Sequence, residues 1–461
     1  MQIIEALNRV NHWWRTGFVD QAFTPLIQRS EIERVFSNYE INRIGCVCGP
    51  RRVGKSTLLF QCIKRLLSSG IEPRRLLYFS CDMPALDEYS LGEIIDEYIS
   101  GILSENDYSI MSTTYVFIDE IHVKSNWQLF LKDYYDRKVN IRFVVSGSSA
   151  AHLYHDARES LLGRITDIVM LPARFYDFAR MCNSQVTENV PAVDFSLDGA
   201  LLFKTIKRDY PFWLHLKNSL QETLNEYLLC GGYPEYTVLR DINVWQRLLE
   251  DEIISRGLFK DIVGTYNVRN PEQLVRLLYF VADNQNQEFS YNSISQTLNI
   301  SADTVSFYID CLDKAFFMNA LDNYSTNAGK IIRKNKKLNV SDTGLRNALL
   351  RLSELSPKDE GILIETAVQQ QFRAYAENNI AKLYYWRQAG REIDLILQQG
   401  TGIYPIEVKY RNQIGSDCID TLNYFKAAHP NARGGMIITK NTFEYQNGIL
   451  LLPFYIFSLL K

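Results

Sequence analysis

A glycine-rich loop near the start of the chain has the residue types and spacing that bind phosphate groups. Residues 44–57 read IGCVCGPRRVGKST, an apolar stretch that runs into a loop and then into a helical stretch. The glycines let backbone N–H groups curve around phosphate oxygens, and the helix N-terminus adds partial positive charge. The loop fits G-x-x-x-x-G-K-[ST] and therefore predicts a P-loop that binds ATP.

The residues of this loop have separate expected roles. Lys55 is expected to reach the β- and γ-phosphates, and the Ser56 hydroxyl is expected to ligate Mg²⁺. A chance glycine turn is the alternative interpretation. The predicted nucleotide-binding residues here are Gly49, Pro50, Arg51, Arg52, Val53, Gly54, Lys55, Ser56 and Thr57.

An acidic pair follows the apolar stretch YVFI, where Asp119 and Glu120 stand next to each other. Asp119 is expected to hold Mg²⁺ through water, and Glu120 is expected to polarise the attacking water. A surface turn is the alternative interpretation of this pair. Together with the P-loop, the pair predicts ATP hydrolysis.

A third polar group follows the next apolar stretch, RFVVSGSSA. Ligands sit at the carboxyl ends of strands in parallel sheets, so we expect Ser148 to sense the γ-phosphate, with Ser146 or a plain polar turn as alternatives. The stretches LLYFSCD and DIVMLPA complete a set of five apolar strands separated by helical stretches. This alternation predicts a parallel α/β sheet.

The motifs GPRRVGKST, LLYFSCD, FIDEI, SGSSA, LLGRITDIVMLPARFYDFA and GGYPEY occur in this order. With them the chain resembles the AAA-superfamily ATPases of prokaryotes that carry a C-terminal domain of unknown function. The resemblance implies an AAA-type core with a helical lid, and it marks Arg164 as an arginine finger that reaches a neighbouring subunit. It therefore implies self-association into a ring or other oligomer, such as a hexamer; a strand-edge ion pair is the alternative for Arg164. Tyr233 and Pro234 of the lid are expected to line the adenine pocket, with a simple Gly-Gly-x-Pro turn as the alternative.

The middle of the chain has the spacing of a helix-turn-helix. Apolar residues across 288–313 fit two helices joined by a short turn, with Ser301 as the N-cap of the second helix and a wing after it. A basic stretch follows, whose cations suit sequence-independent contact with DNA phosphates. A solvated face and a protein-docking module are the alternatives. The predicted DNA-binding residues are Lys330, Arg333, Lys334, Lys336 and Lys337.

Two short strands near the C-terminal end, EIDLILQ and IYPIEVKY, predict a hairpin closed by a Gly-Thr turn. In that register Gln399 faces Gly402, and Asp394 lies opposite Glu407. Residues two apart on a strand share a face, so Lys409 joins the two carboxylates. The other face is apolar and suits a core.

Two carboxylates and an amine on one face suit Mg²⁺-dependent cleavage of phosphodiesters. The pattern of Asp394, Glu407 and Lys409 resembles the PD-(D/E)xK nuclease fold. That resemblance implies that Glu365, on the preceding helix, completes the site. A solvated Glu-x-Lys pair, or a scaffold that binds DNA without cutting it, are the alternatives.

The chain has 461 residues, which is too long for one ordinary domain. The fold class we expect is α/β: a parallel-sheet AAA-type P-loop core with a helical lid, a winged helix-turn-helix and a C-terminal restriction-endonuclease-like domain. The expected segments are a helical N-terminal segment at 1–38, the AAA-type core at 39–178, the lid at 179–265, the winged helix at 266–345 and the nuclease-like domain at 346–461.

The net charge is only −3, so any DNA contact must come from local patches. No signal peptide or membrane span is expected, and the eight cysteines show no disulfide or zinc spacing, so a cytoplasmic protein is expected. The predicted function is an AAA-type ATPase with ATP and Mg²⁺ as cofactors, acting on double-stranded or branched DNA in processing, recombination, repair or defence. The alternatives are a DNA-remodelling motor (branch migration or helicase) and a nucleotide-controlled DNA- or protein-binding switch without nuclease activity.

Overall fold

A computed structural model of the chain describes residues 2–24, 27–106, 110–147, 161–182, 190–191, 193–266, 268–326 and 335–460. Contacts divide the chain into two compact units, which we call the first and second unit. The first comprises Met1–Leu171 with Lys260–Thr265, and the second comprises Pro172–Phe259 with Tyr266–Lys461. The five-segment division expected from the sequence stays a prediction.

The first unit contains the predicted parallel sheet. Its strands pair in the order β2-β3-β4-β1-β5, and every pairing is parallel. The α/β class expected for this part is therefore confirmed. The strands are β1 (Ile44–Cys48), β2 (Leu76–Ser80), β3 (Thr114–Asp119), β4 (Ile141–Gly147) and β5 (Ile165–Val169).

Helices cover this sheet, and the inner strands are apolar because both of their faces are buried. All five residues of β1 are buried, which explains its unbroken apolar run. In the described part of the first unit before β5, the α-helices are Gln2–Val10, Trp13–Thr16, Glu31–Glu40, Lys55–Ser68, Leu91–Tyr98 and Trp127–Asp136.

The N-terminal segment covers the edge strand β2. The Asn11 side chain donates to the Tyr78 carbonyl at 2.8 Å and accepts from the Tyr78 N–H at 2.7 Å. The indole N–H groups of Trp13 and Trp14 both donate to the Leu76 carbonyl at 2.9 Å. These side chains satisfy backbone groups that an edge strand otherwise leaves open.

The second unit is built on a mixed sheet of nine strands in the order β13-β14-β12-β11-β10-β9-β7-β8-β6. Strands β7 and β9 pair in parallel, so one sheet runs through the segments that the sequence divided at residue 345. The strands are β6 (Gln287–Phe289), β7 (Met318–Asn323), β8 (Lys336–Val340), β9 (Ala381–Gln388), β10 (Arg391–Gln399), β11 (Gly402–Lys409), β12 (Gly435–Thr439), β13 (Glu444–Gln446) and β14 (Ile449–Pro453).

Helices of this unit pack around the sheet, and several of them precede it in the chain. The helix expected to begin after Ser301 does so, and the Ser301 hydroxyl accepts from the Thr304 N–H. Among the described residues, the α-helices of the second unit are Phe175–Cys182, Gly199–Arg208, Tyr210–Cys230, Tyr236–Leu239, Ile242–Leu248, Pro271–Asp283, Tyr291–Leu298, Ala302–Lys314, Thr343–Leu350, Pro357–Asn379, Ser416–Ala428 and Phe454–Phe457.

The predicted hairpin register is confirmed. Strands β10 and β11 are antiparallel, with Gln399 opposite Gly402 and Leu395 opposite Ile406. Gly400 in the turn has φ 57°, which glycine adopts without strain. The turn length and the apolar alternation agree on one register, since a one-residue slip would exchange the two faces of the strand.

Within the described residues, none of the helices has the length and apolar character that crossing a bilayer requires. All eight cysteines are free thiols, and seven of them are buried. Also among the described residues, no group of three or more His, Cys, Asp or Glu side chains is arranged to hold a metal ion.

Candidate functional site

The P-loop lies between β1 and the helix Lys55–Ser68, as the motif predicts. Gly49 (φ 155°), Arg52 (φ 63°) and Gly54 (φ 96°) have positive φ, which bends the loop sharply. A Cβ on Gly49 would lie 2.0 Å from the carbonyl oxygen of Met170. Only glycine fits at this position.

Lys55 is nearly buried at the start of the helix, with 6% of its surface exposed. Its ammonium donates to the Gly49 carbonyl at 3.0 Å and to the Pro50 carbonyl at 2.8 Å. The loop thereby holds the lysine beside the helix N-terminus, where an anion is favoured. Ser56 follows in the first turn and is exposed.

Asp119 ends β3 and is held from two sides. Its Oδ2 accepts from the Tyr78 hydroxyl at 3.1 Å, and its Oδ1 accepts a short hydrogen bond from the Ser146 hydroxyl. Glu120 follows in the left-handed region at φ 48°, and its N–H donates to Asp119 Oδ1 at 3.1 Å. The Glu120 carboxylate lies 3.3 Å from Nδ1 of His122.

Glu120 shares its surroundings with the P-loop cations. Burial raises the pKa of Glu120 above its usual value, and the Asp119 charge adds to that shift, whereas Lys55 and Arg51 act in the opposite direction. A carboxylate with a raised pKa beside a phosphate-binding lysine suits the polarisation of water. The donor set therefore fits Mg²⁺ and a nucleoside triphosphate.

The predicted γ-phosphate sensor, Ser148, lies outside the described residues. Its alternative, Ser146, is linked to the acidic pair, because it donates to Asp119 and accepts from the Glu120 N–H at 3.3 Å. Sequence reasoning missed Tyr78. It lies on the neighbouring strand β2, and a tyrosine in an apolar strand gives no signal of a polar role.

Arg164 immediately precedes β5, at the amino edge of the sheet. Its guanidinium makes two hydrogen bonds to the Asp136 carboxylate, at 2.7 Å and 3.1 Å. Within one chain Arg164 thus has the ion pair that was the alternative interpretation. The finger role stays a prediction.

The adenine contacts predicted for Tyr233 and Pro234 also stay predictions. Tyr233 is fully buried in the second unit, with its ring 5.9 Å from that of Trp245. The two glycines before Tyr233 pack against Asp342. A Cβ on Gly231 would lie 2.1 Å from Oδ1 of Asp342. Oδ2 of Asp342 accepts a hydrogen bond from the Gly232 N–H at 2.9 Å.

In the second unit, the hairpin residues converge as predicted. Glu407 accepts from the Asp394 N–H at 3.2 Å, and Asp394 accepts from the Val408 N–H at 2.9 Å. The Lys409 ammonium contacts the Glu407 carboxylate and lies 3.8 Å from Asp394. Asp394 and Glu407 are both buried.

Lys337 occupies the centre of this group, which we call the carboxylate cluster (Glu365, Glu392, Asp394 and Glu407). Its ammonium lies 2.9 Å from Glu365, 3.1 Å from Glu392 and 3.0 Å from Asp394. Its side chain is 2% exposed. The implied Mg²⁺ does not fit here, because an ammonium already takes the oxygens that a metal would need.

The prediction that Lys337 contacts DNA phosphates is therefore wrong, because its side chain is buried against carboxylates. Lys336 points elsewhere and pairs with Asp322 at 2.7 Å. Lys330, Arg333 and Lys334 lie outside the described residues. No sequence pattern marks Lys337, since Asp394, to which it donates, is 57 positions away in the chain.

Electrostatics in the carboxylate cluster favour two charged lysines. Burial disfavours the charged form of Lys337. The charges of Glu365, Asp394 and Glu392 outweigh the effect of burial and raise the pKa of Lys337. Burial would raise the pKa of Asp394, but Lys337 and Lys409 hold it below its usual value. Burial raises the pKa of Glu407, and the nearby Asp394 charge adds to the shift.

Comparison with protein families agrees with the geometry of the first unit. Residues 42–179 match the family model described as an AAA domain. This segment is an AAA-type P-loop ATPase domain. Outside the AAA domain, residues 221–356 and 360–457 match two models described as domains of unknown function, DUF8612 and DUF4143.

Proteins similar to this chain include two of Methanocaldococcus jannaschii and one of Haemophilus influenzae. The uncharacterized protein MJ1544 of Methanocaldococcus jannaschii is 26% identical over 363 residues, covering 77% of this chain and 72% of that protein. The uncharacterized protein MJ1637 of the same organism is 25% identical over 419 residues, covering 89% and 84%. An uncharacterized protein of Haemophilus influenzae is 26% identical over 308 residues, covering 66% and 68%.

Solved structures that this chain matches include those of two proteins of Aeropyrum pernix. The ORC2 protein in its ADPNP-ADP complexes has a TM-score of 0.39 at 10% identity, covering 78% of this chain and 98% of that chain. The ORC1 protein in complex with DNA has a TM-score of 0.26 at 15% identity, covering 72% and 96%. At TM-scores this low the likeness does not define a shared fold.

Proposed function

We propose that this chain is an ATPase that binds and hydrolyses Mg²⁺-ATP in its AAA domain and acts on DNA through its second unit. The observation that carries the ATPase part is the meeting of Lys55, Asp119 and Glu120 at one edge of the first sheet. Strands β1 and β3 are parallel members of that sheet, so the residues that follow them reach the same carboxyl edge.

Each residue of the site has a distinct task in this proposal. The loop N–H groups and Lys55 bind the phosphates, and Ser56 with Asp119 would hold Mg²⁺. The bound metal would offset charge on the phosphates. Glu120 orients the attacking water and accepts its proton, which its raised pKa favours.

ATP turnover and nucleotide binding measured on three variants test this assignment. Glu120→Gln is expected to keep ATP binding and lower turnover by about 10²-fold or more, because general-base catalysis contributes that much. Lys55→Ala is expected to lose binding. Glu40→Gln, on the exposed surface of the same unit, is the control and keeps both. Normal turnover by Glu120→Gln would reject the catalytic assignment.

The finger role of Arg164 is part of the proposal and implies an oligomer such as a hexamer. Arg164→Ala is expected to keep ATP binding and lose turnover. The ion-pair partner supplies a matched control, because Asp136→Ala breaks the same pair and leaves the arginine available. Equal losses of turnover in both variants would show that Arg164 serves only the ion pair with Asp136. Light scattering with ATP present would report whether the chain assembles into an oligomer.

DNA binding is supported by the element order around the predicted helix-turn-helix. Helix Pro271–Asp283 precedes β6, two helices follow, and β7 and β8 then form an antiparallel pair, which is the order of a winged helix. We propose sequence-independent phosphate contact by Lys330, Arg333 and Lys334. Replacing the three by glutamine is expected to reduce the slope of log K against log salt by about 3, one unit per contact. An unchanged slope on linear or four-way DNA would exclude phosphate contact by these three residues.

Strand scission is not part of the proposed function. The position of Lys337 in the carboxylate cluster favours the alternative in which the nuclease-like scaffold binds DNA without cutting it. We expect no cleavage of plasmid or four-way DNA by the wild-type chain in Mg²⁺. Cleavage that Asp394→Asn abolishes would reinstate the nuclease hypothesis.

A further inference from the structure

Lys337 makes three ion pairs in a place where the nuclease-like pattern implies a divalent metal. We propose that Lys337 is a built-in cation that permanently takes the place of that metal, so that the second unit is a DNA-binding module without metal chemistry. The DNA part of this inference rests on the proposed function. The ionic part rests on the geometry of the carboxylate cluster alone.

Distances show why the ammonium and a metal exclude each other. Oxygen ligands approach Mg²⁺ at about 2.1 Å and Ca²⁺ at about 2.3–2.6 Å. The Lys337 ammonium lies within 3.1 Å of oxygens on Glu365, Glu392 and Asp394. A metal ion bound to these oxygens would lie in contact with the Lys337 ammonium. Charge repulsion and steric overlap would both oppose that arrangement.

The backbone of Lys337 is held by strand pairing on both sides, which places its side chain at the carboxylate cluster. Strand β8 pairs with β7 on one side and with β6 on the other, and Lys337 lies in both ladders. The Tyr385 hydroxyl donates to the Asn335 carbonyl just before the strand, at 2.8 Å. Moving the Lys337 backbone away from the carboxylate cluster would require breaking strand pairing on both sides.

A second lysine adds positive charge at the carboxylate cluster. Lys409 pairs with Glu407 and lies 3.8 Å from Asp394. The two ammonium groups thus approach the carboxylate cluster from β8 and β11, which are different parts of the sheet. Each carboxylate of the cluster thus has an ammonium partner from the chain itself.

Calorimetric titration with Mn²⁺, without nucleotide, tests the proposal on the full chain. Wild type and Asp394→Asn are expected to give the same isotherm, because the carboxylate cluster takes no metal. Lys337→Met is expected to gain one Mn²⁺ site per chain, and adding Asp394→Asn to that variant is expected to remove it. Mn²⁺ is also expected to raise the melting temperature of Lys337→Met by roughly 5 °C and leave that of wild type unchanged.

Lys336→Met is the matched control, since it removes the neighbouring ammonium, which pairs with Asp322. It should bind Mn²⁺ as wild type does. If Lys337→Met does not fold, Lys337→Met with Glu365→Gln removes one charge of each sign and serves in its place. Asp394-dependent Mn²⁺ binding by wild type, or a folded Lys337 variant that gains no site, would overturn the proposal. ATP turnover and DNA binding on the same preparations report separately on the proposed function.

Discussion

Tyr78 donates its phenolic hydrogen to Oδ2 of Asp119 at 3.1 Å, across the neighbouring strands β2 and β3. The Asn11 side chain in turn makes two hydrogen bonds to the Tyr78 backbone, so the N-terminal segment helps to place a residue that supports Asp119, the aspartate proposed to hold Mg²⁺. The segment 1–38, which the sequence set apart from the AAA-type core, is therefore connected to the ATPase site.

Tyr78→Phe is expected to weaken Mg²⁺ use. Loss of a hydrogen bond to a charged group costs about 1.5–3 kcal/mol, so the Mg²⁺ concentration for half-maximal ATP turnover should rise by roughly 10-fold or more. Tyr134→Phe is the control, because Tyr134 donates to Asp96 at 3.0 Å away from the site. An unchanged Mg²⁺ requirement in Tyr78→Phe would show that Asp119 needs no support from β2.

Gly49→Ala is expected to abolish nucleotide binding and destabilise the first unit. The added Cβ would lie 2.0 Å from the Met170 carbonyl, so the loop must move. Gly70→Ala is the control that distinguishes backbone strain from a steric clash. Gly70 also has positive φ, at 84°, but a Cβ there meets no atom within 4 Å. That control should lose about 1 kcal/mol of stability and keep nucleotide binding. Calorimetry and nucleotide titration measure both effects.

Lys337→Ala is expected to lower the free energy of unfolding by about 3–5 kcal/mol, because it leaves buried carboxylates without their cation. Lys336→Ala breaks an ion pair that is partly exposed, with 24% of the lysine side chain accessible, and should cost about 1 kcal/mol or less. Urea denaturation compares the two. A loss of stability in Lys337→Ala as small as that expected for Lys336→Ala would indicate that the ion pairs of Lys337 contribute little to stability.

Asp342 is expected to make the stability of the second unit depend on pH. Burial raises the pKa of Asp342 to about 6, although backbone N–H groups of Gly232 and Leu345 act in the opposite direction. Because the folded state holds this proton more tightly than the unfolded state, the contribution of Asp342 to stability falls as pH rises from about 4 to about 6. The full change is about 3 kcal/mol. Asp342→Asn should remove that part of the pH dependence in denaturation curves at pH 4 and pH 7; identical pH dependence in both proteins would contradict the assignment.

The P-loop, the acidic pair and the hairpin register were readable from the sequence because each depends on residues close together in the chain. A P-loop occupies one loop and the start of one helix. The register of β10 and β11 follows from a two-residue turn and from apolar alternation, which allow one pairing.

Long-range packing decided what the sequence left open. The sequence showed Lys337 as one cation of a basic stretch, and only the pairing of β8 within the nine-stranded sheet places its ammonium on Asp394, 57 residues away. The same holds for Arg164 on Asp136. Local patterns specify which strands and turns form, but the occupant of a buried charged site depends on which distant elements the sheet brings together.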